Sequence, residues 1–289
     1  MSDQSALHAV VGTRRLRRGR PAGTAVQRAW RFDAPDTRDR EWWPQGIAWA
    51  GDRLLVSWYA KSGGARISVL DLAAATYEHV RLMQRAKDGR VSPLHAHAGG
   101  LGVHGPWVHV ANTSKGAWSL HFDDLAQGED GWTWTATARH RPDLPDGPGG
   151  AASGRLRYSF IDACDDDLVV GEYGWRERSK RLATVQLVEG LPTGRVQMLG
   201  EGPSGMQGTT RDADGRWWAT TSFGPVLPGT LWHTRRGSTP PLSRGDFRGR
   251  RLALPPGPED LTHGPDGRLW TVTEFPHLRW IVCLVAPES

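Results

Sequence analysis

Isoleucine, methionine, lysine, cysteine and asparagine are scarce in this chain of 289 residues: four Ile, four Met, four Lys, two Cys and one Asn, Asn112. Cys164 and Cys283 alone make neither a disulfide framework nor a zinc set. Few Met and Lys beside many Gly and Pro leave little that favours long helices. No run of about eighteen apolar residues exists, which excludes a spanning helix. Residues 1–27 carry Arg14, Arg15, Arg17, Arg18 and Arg20 with no apolar stretch beside them, so they do not read as a signal peptide. The expected location is the cytoplasm.

What is plentiful points to β-structure. Thirty-six Gly, 20 Pro and 15 Trp imply many turns and much aromatic packing, and favour one large all-β domain over two smaller ones. The formal charge is +5, but 32 of the 36 basic residues are Arg, a bias that a GC-rich gene explains as well as an acidic ligand would. The basic run from Thr13 to Arg20 reads as a solvated chain end, so residues 1–24 are set apart as a partly disordered basic segment. The expected partner is a small molecule, not nucleic acid or membrane; the sequence does not specify an oligomeric state.

Five segments open alike: Pro44-Gln45-Gly46, Ala98-Gly99-Gly100, Tyr158-Ser159-Phe160, Met206-Gln207-Gly208 and Pro258-Glu259-Asp260, with markers spaced 54, 60, 48 and 52 residues apart. A second extended run follows each, ending near Trp58, Asn112, Glu172, Thr221 and Thr273, spaced 54, 60, 49 and 52. Third strands begin near Arg66, Ala117, Arg181, Gly229 and Arg279. Fourth strands include 77–82 and, in the second repeat, 133–137. Four strands per repeat of about fifty residues is the β-propeller pattern. The last repeat lacks a fourth strand, and 25–32 has the alternation to supply it. The expectation is a five-bladed β-propeller of four-stranded antiparallel blades over 25–289, its ring closed by an N-terminal strand. Long connections are expected at 139–155 and 175–180.

In a propeller the start of each inner strand and the end of the next share one rim. That brings Gln45, Gln207 and Glu259 together with Trp58, Tyr59, Asn112, Glu172, Tyr173 and Glu274, beside Trp42, Trp43, His95, His97, Tyr158 and Trp175. Polar groups meeting beside aromatics suit a small-molecule pocket. Glu172, Glu259 and Glu274 crowd one mouth with Asp162 one turn deeper, and crowding raises at least one carboxyl pKa. Asp260 reads as the more buried of the acids. His97, next to Gly99-Gly100, is the better imidazole for acid–base work; His95 and His97 also lie on one face by their period-2 spacing. Each of these residues has a plainer alternative, as an ion pair, a hydrogen-bonded core histidine or a packing indole. No nucleophile elbow, phosphate loop or dinucleotide fingerprint occurs. Asn112-Thr113-Ser114 is a formal glycosylation sequon, discounted at the end of an inner strand.

Taken in order, Pro44-Gln45-Gly46, His97-Ala98-Gly99-Gly100, Ala111-Asn112-Thr113, Gly171-Glu172-Tyr173, Met206-Gln207-Gly208 and Pro258-Glu259-Asp260-Leu261 resemble an uncharacterised family of bacterial β-propellers, mostly from high-GC bacteria. That resemblance covers about Trp43 to Leu284 and implies the fold but no activity. More distantly the layout is similar to the senescence-marker-protein/gluconolactonase and strictosidine-synthase-like propellers. The former imply a divalent cation held by a Glu, an Asp and two Asn, a set that a chain with one Asn does not reproduce as it stands.

Three functions follow. The first is a cofactor-free enzyme on a small organic, biosynthetic substrate. His97, Glu172, Glu274, Glu259 and Asp162 would move protons, and Trp43, Gln45, Trp58, Tyr59, His95, Asn112, Tyr158, Tyr173, Trp175 and Gln207 would line the pocket. Cyclisation or isomerisation suits this equipment best. The second is a lactonase or other hydrolase using calcium or a similar cation on Glu172, Glu259, Glu274 and Asn112. The third is a non-catalytic binding scaffold.

Overall fold

A computed structural model describes residues 5–113, 115–141, 154–175 and 180–286. Most of the two expected long connections, and Ser114 of the sequon, lie outside the described residues. The described chain is all-β apart from short helical turns, and its two α-helices, Ser5–Ala9 and Ala34–Arg38, have five residues each. No helix among the described residues is long and apolar enough to cross a membrane.

The strands form five sheets whose inner strands are Trp42–Ala50, Leu101–His104, Phe160–Cys164, Met206–Arg211 and Pro258–His263. Each inner strand lies against that of the next sheet, and the fifth returns to the first. Glycine makes that approach possible. A Cβ on Gly46 would lie 2.9 Å from the Gly100 Cα, one on Gly100 2.3 Å from the Ile161 nitrogen, and one on Gly208 2.4 Å from the Leu261 nitrogen. The recurrent Gly of the repeat marker is thus a contact between backbones at the axis.

The repeat count needs a correction. The arrangement is a propeller with four regular blades of four-stranded antiparallel type, not five. The first sheet has become an eight-stranded, mixed one. The segment 133–137, expected as the fourth strand of the second repeat, belongs to Gly131–Ala136, which pairs in parallel with the outer strand of the first sheet, Thr76–Arg85. The second sheet is completed instead by the three residues Ala138–His140. Trp134 gives the reason. Its indole is fully buried, packs 5.6 Å from Phe122 and donates from Nε1 to the His121 carbonyl at 2.7 Å. Crossing to the neighbouring sheet seals that indole and covers an open edge, gains worth a few kcal/mol for so large an apolar group.

At the other junction the ring closes as expected: Val26–Arg31 pairs antiparallel with Trp280–Leu284. The basic run before it is not frayed. Arg14–Arg15 pair with the first sheet and Arg17–Gly19 with the ring-closing strand. Their side chains are used in packing, as where Arg14 approaches Asp33 and Asp36 and Arg18 lies over Trp30.

Candidate functional site

Three of the five inner strands begin with a β-bulge, over 44–47, 206–208 and 258–261. A bulge bends its strand and re-aims the extra side chain. The residues so presented are Gln45, Gln207 and Glu259, the marker residues of their repeats. They meet Glu274, which follows the second strand of the fifth sheet. Gln45 donates from Nε2 to Glu274 Oε2 at 3.1 Å, Gln207 donates from Nε2 to Glu259 Oε1 at 3.2 Å, and the two glutamates hydrogen-bond each other.

Two carboxyl groups in direct contact cannot both be ionised cheaply. Burial, and then the Glu274 carboxyl, push the Glu259 pKa well above the carboxylate range. Burial also raises that of Glu274, offset by the hydrogen bonds it accepts from Gln45 and Glu259 and by Arg279. Among the described residues no Lys or Arg forms an ion pair with either. Arg279 is fully buried behind them but spends its N–H groups on the carbonyls of Glu274 (2.9 Å), Asp36 and Trp42 (2.6 Å). The hydrogen bond between them requires a proton; it raises the pKa of Glu259 and lowers that of Glu274, which makes Glu259 the donor and Glu274 the acceptor.

Tyr59 stands within the field of both glutamates. Burial, then Glu274 and Glu259, raise its phenol to about 12, so it stays protonated. Its ring lies 4.6 Å from that of His97. His97 keeps access to solvent, yet the protein mass around it lowers its pKa, leaving a neutral imidazole. Asn112 braces the segment that carries His97: Oδ1 accepts from the His97 amide and Nδ2 donates to the His95 carbonyl, both at 3.4 Å. Trp43 stands at the lip against Phe275, 6.0 Å away, and under the Lys61 ammonium at 4.5 Å. His95 is exposed beside Gly63.

Other expected residues are placed elsewhere. Glu172 is fully buried and saturated: Arg181 forks onto it at 2.9 and 2.8 Å and the Arg157 amide adds a bond at 2.8 Å. Trp58 is not at the mouth but in the core of the first sheet. Its Nε1 donates to Ser68 (2.8 Å), Ser68 bonds His79 (2.9 Å), and His79 bonds Asp36 (2.8 Å), with Arg66 completing the Asp36 carboxylate at 2.8 Å. Tyr158 is core as well. Tyr173 hydrogen-bonds Trp175, which stacks edge-on against Phe223 at 5.6 Å on the surface. Asp162 is not beneath the glutamate pair. It is the middle residue of Phe160–Cys164 and faces Thr262, Thr210 and Cys164.

The set considered for calcium is not brought together, because Glu172 is held by Arg181 and Asn112 by backbone. Among the described residues no group of three or more His, Cys, Asp or Glu is placed to hold a metal ion. Cavities of about 730 and 460 Å³ lie away from the glutamate pair, the larger beside the N-terminal segment between Trp42 and Trp132, the smaller around Asp162.

No protein-family model matches the chain, and no curated protein matches it. Solved structures are similar in fold. Myxococcus xanthus glutaminyl cyclase is 12% identical over 94% of this chain and 98% of that one, with a TM-score of 0.45. A putative gluconolactonase is 11% identical over 100% and 87%, with a TM-score of 0.44. A putative oxidoreductase (glucose dehydrogenase) from Thermus thermophilus is 14% identical over 93% and 100%, with a TM-score of 0.40. Likeness of this degree concerns the fold alone.

Proposed function

We propose that the protein is an acid–base enzyme for a small organic substrate, with its reacting groups at the rim formed by Gln45, Tyr59, His97, Gln207, Glu259 and Glu274. The observation that carries this reading is the hydrogen-bonded pair of a buried Glu259 and a half-buried Glu274, without an ion-pairing cation among the described residues. A merely structural carboxylate is normally given a counter-charge, as Glu172 is given Arg181. A pair sharing one proton is an acid and a base side by side.

In the proposed cycle Glu274 or the neutral His97 imidazole takes a proton from one atom of the substrate, and Glu259 returns one to another. Tyr59 donates a hydrogen bond to oxygen that gains charge, the Gln45 and Gln207 amides hold the carboxyl groups in place, and Trp43 walls the entrance. Removal and return of a proton within one molecule is isomerisation, or ring closure when the activated atom attacks internally. A positioned acid or base of this kind contributes about a hundredfold to ten-thousandfold in rate.

Turnover of a panel of carbonyl, lactone and amide compounds tests this. For any compound turned over by the wild-type protein, Glu274→Gln and His97→Ala should each lower kcat by about a hundredfold or more while leaving the melting temperature within a few degrees. A folded Glu274→Gln variant with undiminished kcat removes the mechanism. Turnover abolished by a chelator and restored by calcium replaces it with the metal-dependent reading.

A further inference from the structure

At the far ends of the inner strands, away from the glutamate pair, a cavity of about 460 Å³ is lined by Asp162, Cys164, Thr210, Arg211, Thr262 and His263, among others. We propose that this cavity binds a small primary ammonium compound, with the Asp162 carboxylate as its counter-ion. Asp162 is buried, and among the described residues it is hydrogen-bonded by neutral groups: the Thr262 hydroxyl at 3.1 Å, the Cys164 thiol at 3.5 Å, Thr210 and the Ala163 amide. Behind it Asp260 is fully buried. Its Oδ2 accepts the Ile47 and Leu101 amides at 3.1 and 3.0 Å, while its Oδ1 has no partner among the described residues.

The charged groups facing the cavity from each sheet are otherwise spoken for. Arg211 pairs with Asp165 at 2.6 Å, and Asp212 accepts the Asp214 and Arg216 amides and the Trp218 indole N–H. Burial keeps His263 neutral, opposed more weakly by Asp212, and its Nδ1 is 3.0 Å from Thr210 Oγ1. Burial also raises the Cys164 thiol, with Asp162 adding to it, so the thiol stays uncharged. Among the described residues, the buried Asp162 carboxyl thus lacks a cation in a space of ligand size, with Asp260 buried behind it. A primary ammonium supplies the missing charge together with three N–H donors, which carboxylate, hydroxyl and imidazole acceptors here can receive. A metal ion fits less well, since no metal-holding group occurs among the described residues.

Burial sets Asp162 at about 7. Its carboxylate, and with it ammonium affinity, therefore increases as pH rises through neutrality, while an aliphatic amine stays protonated to about pH 10. Calorimetry of the full chain with n-butylammonium as probe should show saturable binding about tenfold tighter at pH 8 than at pH 6. n-Butanol lacks the charge and tetramethylammonium lacks the donors, so both should bind at least tenfold more weakly. Asp162→Asn should abolish binding and its pH dependence; should that variant not fold, Thr262→Val should weaken binding several-fold and leave the pH dependence intact. Equal binding of butanol, pH-independent binding, undiminished binding by a folded Asp162→Asn variant, or saturation by potassium or calcium in place of the amine overturns the proposal. The test is separate from the rim chemistry, because Glu274→Gln should leave it unchanged.

Discussion

Glu172 and Glu274 occupy nearly the same place in two sheets, just past the end of the second strand, the first fully buried and the second half-buried, yet they are opposite in character. In each case an arginine stands at the start of the third strand, Arg181 as its first residue and Arg279 just before it. Arg181 turns its guanidinium onto the Glu172 carboxylate and makes a closed ion pair. Arg279 turns away from the Glu274 carboxylate and caps carbonyls, so Glu274 finds Glu259 and the Gln45 amide instead. Arg66 takes a third course and pairs with Asp36, which the short Ala34–Arg38 helix carries between two sheets. Position in the repeat decides that an arginine is buried; the neighbouring loop decides which acceptor it meets. A saturated carboxylate is a strut, and one left to share a proton is chemistry in waiting.

The comparison is broken most severely by removing Arg181. Arg181→Met leaves Glu172 buried without its partner and should cost about 3–5 kcal/mol, read as a large fall in the denaturation midpoint at pH 7. Little change would mean that Glu172 is not held by charge. The effect of pH should have the opposite origin. Glu259, Asp260 and Asp162 have folded pKa values above those of the unfolded chain, so the folded state holds more protons between the two values. Stability from these groups is then fully present at about pH 4 and is lost as pH rises, by about 1.4 kcal/mol per pH unit for each proton involved. Asp162→Asn should flatten that fall between about pH 4 and 7; an unchanged slope would show that Asp162 titrates normally. The smallest effect belongs to Gln45→Leu, which removes one hydrogen bond from Glu274 and should cost about 1–2 kcal/mol while raising the pKa of the pair further. Titration of the pair in that variant reads the direction.

Most of the fold was legible because it is periodic. The marker Gly positions are forced by backbone contact at the axis, and Val26–Arg31 was recognisable as the missing strand by its alternation. The strand around Trp134 was not, because a repeat count cannot show that an indole is better buried on the neighbouring sheet. The rim was half legible. Gln45, Gln207 and Glu259 stood out as equivalents, whereas the bulges that aim them are features of pairing. Glu172 and Trp58 looked like site residues because burial with a partner and burial for reaction use the same letters; only Arg181 and Ser68, brought in from other strands, separate them. The Asp162 cavity had no local signal, since Asp162, Thr210 and Thr262 meet from three sheets.

The central claim is that Glu259 and Glu274 share a proton at neutral pH. Side-chain carbon NMR of the glutamate-labelled protein, titrated from pH 4 to 9, reads it directly. One buried glutamate should remain protonated at pH 7 and shift together with its neighbour, and both signals should change in Glu259→Gln. Two carboxylates that ionise independently near pH 4, with Glu274 unaffected by Glu259→Gln, would contradict it.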